Sequence, residues 1–238
     1  MTNSSPTENF VKGASAFLFS LVMGTILGAL FLGAGMFLLK NLGLAGQTAV
    51  FLGITNKTPW YFTRSAGTVA YILLSASTIW GLLLSTKIIK ETVPAVLSMA
   101  MHNFLSWAAV GITGLHVVSL LFDSYYNYRL ADLVIPFIGP YRPGWVGLGI
   151  IGYYITILTT LSFYWRKQIG QKRWRALHYL TFGAYTLATV HGIMAGTDSA
   201  SASMNALYWG SGLLVLFLTN YRILSAGAVK GRVRQANA

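Results

Sequence analysis

Four histidines, His102, His116, His178 and His191, are the whole histidine content of this chain. Each lies in a stretch apolar enough to cross a bilayer. The second pair sits in R-W-R-A-L-H-Y-L-T-F-G-A-Y-T-L-A-T-V-H-G-I-M-A-G-T-D, Arg173 to Asp198. An imidazole inside a membrane is costly and marks function by default, provided a partner for it can be named. No Asp or Glu lies in the middle of any apolar stretch to serve as that partner. Two helices, each presenting two histidines ~20 Å apart along the axis at ~1.5 Å per residue, suggest two metal cofactors stacked across the membrane. Haem is the natural candidate, because histidine is a standard axial ligand to its iron.

The spacings differ between the pairs. His102 and His116 are fourteen residues apart. At 3.6 residues per turn this leaves only ~40° between the side chains, so one helix face carries both. His178 and His191 are thirteen apart, which places them roughly 140° from one another on an ideal helix. Helix crossing, side-chain reach or a local 3₁₀ or π distortion has to absorb that difference. The competing reading is four core histidines bonded to backbone carbonyls or to each other. Four of them, matched in depth on two helices without acidic partners, fit it poorly. Glycines near the histidines (Gly111, Gly114, Gly183 and Gly192) would let a flat macrocycle approach the backbone, or simply let helices pack closely. Haem propionates call for cations, and arginine suits carboxylates by its forked geometry. Arg64 and Arg175 lie at the ends of two apolar stretches, each near the depth of one histidine pair. Arg175 also belongs to a basic loop, whereas Arg64 stands among few other charges.

The elements that must position these residues are membrane helices. Of the 238 residues, 55% are hydrophobic and 9% charged, against roughly a quarter charged in a soluble domain. The expected fold is all-α: a polytopic membrane protein built as a six-transmembrane-helix bundle. Spans are expected at about Ala14–Leu39, Ser65–Thr86, Pro94–Phe122, Trp145–Trp165, Arg173–Asp198 and Met204–Leu224, each near the ~20 residues a hydrocarbon core requires. Residues 1–13 form a short N-terminal segment, 14–224 the bundle and 225–238 a basic tail. Gly24 and Gly28, spaced G-x-x-x-G, suit close helix packing. The connection from Asp123 to Gly144 is rich in tyrosine (Tyr125, Tyr126, Tyr128 and Tyr141) and proline, as suits a membrane surface or a docking face.

Net charge is +12, yet the basic residues are scattered through short loops. That excludes a nucleic-acid groove and points to topology and membrane lipid. With six spans, twelve basic residues fall on the side of the termini and five on the other. Both termini are therefore expected in the cytoplasm, in a bacterial-type cytoplasmic (inner) membrane. His102 and His178 then lie near the inner face, His116 and His191 near the outer one. There is no cysteine, which excludes disulfides, cysteine-ligated clusters and covalently attached haem.

On these residues the chain resembles the ferric reductase-like transmembrane domain family, which includes NADPH oxidases, ferric reductases and bacterial haem membrane subunits. The resemblance covers about Trp60 to Ile223. It rests on the double histidine pair, R-S-A-G at Arg64, W-R-A-L-H-Y at Trp174 and H-G at His191. It implies six helices and two b-type haems, with axial pairs His102/His178 (inner) and His116/His191 (outer). It further implies electron transfer from a cytoplasmic or membrane donor to an extracytoplasmic acceptor or partner subunit. The family's flavin and nicotinamide domain has no counterpart in the 14 residues after Leu224. The expected donor is therefore separate, a flavoprotein or a quinol. NADPH oxidases carry another histidine one turn after the outer ligand, where Leu120 stands here, so superoxide production is not expected. The alternative is a haem- or pigment-binding accessory subunit of a larger respiratory or photosynthetic complex.

Overall fold

The fold is described from a computed structural model. It covers residues 55–86, 88–89 and 92–236 (backbone only beyond Ser225), together with residues 20, 23–24, 28, 31, 33–35 and 37–44. The described residues are helical or lie in turns and connections, with no strand among them. The expected first span, with the connection that follows it, lies mostly outside the described residues. Those described between 20 and 41 are helical.

Numbered from Thr58, the helices are α1 (Thr58–Thr86), α2 (Ala95–Ser119), α3 (Leu130–Val134), α4 (Pro143–Ser162), α5 (Arg166–Ile169), α6 (Gln171–His178), α7 (Leu180–Ala195) and α8 (Ala202–Ala236). A 3₁₀ turn over Leu120–Phe122 extends α2. Four segments are long and apolar enough to cross a membrane: Thr58–Thr86, Ala95–Phe122, Pro143–Ser162 and Ala202–Ser225. The shortest, of 20 residues, reaches the ~30 Å of a hydrocarbon core at ~1.5 Å per residue. Large apolar side chains on their outward faces are open, as with Val69, Ile72, Leu213, Leu216 and Phe217. The chain is thus an all-helical protein of multi-pass membrane type.

Boundaries move where local chemistry decides them. α1 begins seven residues before the expected Ser65, because Pro59 in the T-P-W-Y-F-T-R entry is tolerated in a first helical turn. α4 begins at Pro143 for the same reason. Pro94 serves as the N-cap of α2 in extended conformation. The last helix runs on past the expected end at Leu224 to Ala236.

The largest difference concerns the expected fifth span. It is divided at Tyr179 into α6 and α7, of 8 and 16 residues, and neither alone has the ~20 that crossing requires. The Tyr179 N–H donates to both Arg175 O (3.2 Å) and Ala176 O (3.3 Å), and the Phe182 N–H donates to Tyr179 O (3.1 Å). The first is an ordinary i→i−4 bond; the other two are i→i−3 bonds, a local 3₁₀ tightening. Such a turn advances ~120° per residue instead of ~100°, so it shifts the helix face by about 20° per residue involved.

α1 packs chiefly on α2 and α4 chiefly on α7, while α8 lies along α1. Contacts of α1 with α7 and of α2 with α4 join these pairs into one bundle. Between α1, α7 and α8 lies a core of Tyr71, Leu82, Tyr185, Tyr208, Val215 and Leu218. Tyr71 anchors it: its hydroxyl lies 2.9 Å from Ser211 Oγ and 3.1 Å from Thr189 Oγ1. Ser77–Ser106 (2.8 Å) and Thr63–Ser119 (2.6 Å) bond α1 to α2. Interhelical hydroxyl bonds of this kind hold helices together in lipid, where burial of apolar surface supplies little drive between them.

Candidate functional site

α2 runs alongside the α6–α7 pair, and the histidines meet at two depths, His178 at the end of α6 and His191 on α7. The ring centroids of His116 and His191 are 6.4 Å apart, and those of His102 and His178 are 6.2 Å apart. The ring planes cross at 75° and 77° respectively. Neither pair is joined by a hydrogen bond. Two imidazoles that share one metal at about 2.0–2.1 Å per nitrogen have ring centroids roughly 6 Å apart. The structure thus brings together the residues that the spacing matched by depth.

The ring nitrogens facing away from the partner are accounted for in the first pair. His116 Nδ1 lies 2.8 Å from the carbonyl oxygen of Thr63, and His191 Nδ1 lies 3.0 Å from that of Trp145. A carbonyl oxygen can only accept, so Nδ1 carries the proton and Nε2 keeps its lone pair, as a metal-ligating histidine requires. In the second pair both Nδ1 atoms are buried without a hydrogen-bond partner. The nearby Ser77 carbonyl does not reach bonding geometry with His102. Trp174 Nε1 is buried and unpartnered beside them, and its ring stacks on His178 with centroids 5.0 Å apart. Unpaired buried polar atoms are rare, and three of them gather at one histidine pair.

Each pair opens on a cavity. The cavity of His116 and His191 has a volume of about 870 Å³ and that of His102 and His178 about 600 Å³, both within the ~300–1,000 Å³ usual for cofactor sites. Leu74, Ala109 and Thr156 line both cavities and form the wall between them. Glycines give the rings their place. A Cβ on Gly67 of α1 would stand 2.9 Å from His116 Nδ1, one on Gly81 3.1 Å from His102 Cε1, and one on Gly149 of α4 2.8 Å from His191 Nδ1. These three differ from the glycines expected to matter. Gly114 packs under the Tyr153 hydroxyl and Gly192 under Tyr208, while Gly183 is exposed and has no neighbour where a Cβ would stand. One sequence signal was available: Gly67 and Gly81 are fourteen residues apart, as His102 and His116 are, and Gly67 closes the R-S-A-G motif.

Arg64 and Arg175 both line cavities. Arg64 borders the first, where its Nε donates to Asp198 Oδ2 (2.6 Å) and its Nη2 donates to the other carboxylate oxygen. Its guanidinium also lies 4.0 Å from the centre of the Trp60 ring. Arg175 borders the second cavity together with Arg166 and Arg222, and no carboxylate among the described residues lines it. Arg222 donates to the Tyr179 hydroxyl (3.1 Å). Arg166 and Arg222 escape a sequence reading because they sit in stretches already basic for reasons of topology.

Among the described residues no three of His, Cys, Asp or Glu gather at one point. A metal ion held by three or more such side chains therefore has no site among the described residues. A metal whose other ligands belong to a macrocycle needs only two opposed imidazoles, and the chain offers that twice. Cavity size, ring separation and, among the described residues, arginine without carboxylate at the second site fit haem. No family model, curated protein or solved structure matches this chain.

Proposed function

We propose that this protein is a di-haem b-type cytochrome of ferric reductase-like type, which carries electrons across the cytoplasmic membrane through six spans with both termini inside. The observation that carries the proposal is the meeting of four histidines as two pairs, 6.2 and 6.4 Å between ring centres, each at its own cavity. The six spans are the four long helices, the α6–α7 pair taken as one, and the apolar stretch Ala14–Leu39.

Haem bound at each pair supplies a one-electron iron couple. The chain's own residues hold and tune it. His116 and His191 keep their Nε2 atoms free by donating Nδ1–H to the Thr63 and Trp145 carbonyls. Arg64 at one end, and Arg166, Arg175 and Arg222 at the other, offer cations to propionate carboxylates. Apolar walls limit water, which strengthens these interactions. Outward passage of an electron is favoured by about 2.3 kcal/mol per 100 mV when the interior is negative. The donor is a separate flavoprotein or quinol, and the acceptor is an extracytoplasmic molecule or partner subunit.

The alternative, a haem- or pigment-binding accessory subunit of a larger respiratory or photosynthetic complex, would show itself by co-purification with that complex. A pyridine haemochrome assay on undamaged protein tests the haem count. Two haem b per chain are expected, and clearly fewer would end the di-haem proposal.

A further inference from the structure

The two cavities are unequal. At about 870 Å³ against about 600 Å³, the first has more room than the second, if each holds one macrocycle of the same size. That comparison rests on the di-haem proposal. The difference approaches the ~300 Å³ at which small-ligand sites begin. Its lining has no counterpart in the second cavity: Asp123, Tyr125, Tyr126, Tyr128 and Tyr141, all from the connection between α2 and α4.

These tyrosines form one continuous aromatic wall. The Tyr126 ring centre is 4.8 Å from that of Tyr125, 4.9 Å from Tyr141 and 6.2 Å from Tyr128. Tyr141 donates its hydroxyl to Ala195 O (3.0 Å). The hydroxyls of Tyr126 and Tyr128 make no hydrogen bond among the described residues, although Tyr128 is only 7% exposed. Burial, with Asp123 beside it, pushes the Tyr128 phenol well above its ordinary range. It remains a proton donor facing the cavity.

The wall is built in advance of any ligand. Among the described residues the only non-glycine residues with positive φ are Asn127 (51°), Phe137 (72°) and Arg142 (41°), and all three lie in this connection. Such conformations persist only where the surroundings enforce them, and they concentrate at ligand clamps. Here Arg142 donates to the Met194 carbonyl and Tyr141 to that of Ala195. Both bonds fasten the connection to the end of the helix that carries His191.

Charge narrows the ligand. The carboxylates facing this cavity are already engaged: Asp123 accepts from the Tyr125 and Tyr126 N–H groups, Asp132 from Arg129 and Asp198 from Arg64. A cation finds no free carboxylate. An anion finds three carboxylates lining the cavity against Lys57 and Arg64. A flat, neutral ring with oxygen acceptors meets aromatic faces and two unused hydroxyl donors.

We infer that the tyrosine-walled part of the His116–His191 cavity is a second ligand site, which binds a neutral aromatic molecule of the quinone class. The test uses the purified full chain, with its haem content measured first, and tetramethyl-1,4-benzoquinone as the probe in equilibrium dialysis. One quinone per chain is expected alongside full haem content. Tyr126→Phe and Tyr128→Phe should each weaken binding about three- to ten-fold, the effect of one lost hydrogen bond, with haem content unchanged. Unchanged affinity in the double variant would overturn the site. So would quinone binding only to protein stripped of haem, since the two would then share one space. Protein that holds no haem but binds quinone through these tyrosines would overturn the di-haem proposal and keep the site.

Discussion

Arg64 is held by an aromatic face and a carboxylate at once, and this fixes the sign of two substitutions. It lies over Trp60 and pairs with Asp198 at the edge of the first cavity. A positive charge beside a cofactor favours the reduced state, and the neighbouring carboxylate offsets part of that effect. Arg64→Gln is expected to lower the midpoint potential of the haem proposed at His116/His191 by tens of millivolts, on the order of one partly screened charge near the site. It should also loosen the haem, while Arg64→Lys should do less. Asp198→Asn should move the same potential upward, because Arg64 is then no longer neutralised. Redox titration of the two proposed haems checks both. An arginine that merely reaches lipid phosphate would leave potential and occupancy unchanged in Arg64→Gln, and Asp198→Asn would then do nothing either.

At the scale of helices, the glycines facing the rings are as informative as the histidines. A Cβ on Gly67 or Gly149 would stand 2.9 Å or 2.8 Å from the imidazole it faces, too close for the ring to keep its place. Gly67→Ala and Gly149→Ala are therefore expected to empty the His116/His191 site while the other site stays filled. Gly81→Ala, with a nearest approach of 3.1 Å to His102, should weaken the second site more mildly. Haem absorbance per protein, resolved into its two components, reads each outcome. Gly149 does not stand out in the sequence, and the spacing of Gly67 and Gly81 gains its meaning only beside the histidines of α2, because each glycine serves a histidine on another helix and a linear pattern shows one helix at a time. The Thr63 and Trp145 carbonyls are hidden for the same reason, since a backbone acceptor has no side-chain signature. The histidines themselves were legible from spacing and depth. The thirteen-residue spacing even announced a distortion, which the structure supplies in the tightened turn at Tyr179. Its position could not be read, because Tyr179 resembles its neighbours in helix propensity.

Across the whole molecule, the apolar segments were legible in outline from composition, and the four long helices fall where hydropathy put them. The size of the first cavity was not, because it depends on how a connection with three left-handed residues folds back on α7. The same assembly decides how far the two sites act separately. Among the described residues their cavities share Leu74, Ala109 and Thr156 as a wall. Ala109 is 1% exposed and lies seven residues from each histidine of α2. Leu74 lies likewise midway between Gly67 and Gly81. Each site takes one histidine from α2 and one from the α6–α7 pair, His178 at the end of α6 and His191 on α7, so loss of a ligand should be felt at its own depth and stop at that wall. His116→Ala and His191→Ala are each expected to remove one and the same spectral component. His102→Ala and His178→Ala should each remove the other, with at least most of the first retained. Difference spectra of the four variants, scaled to protein, test this directly. If His116→Ala and His178→Ala abolished the same component, the histidines would be paired across depths, and the contacts of 6.2 and 6.4 Å would not be the ligand pairs.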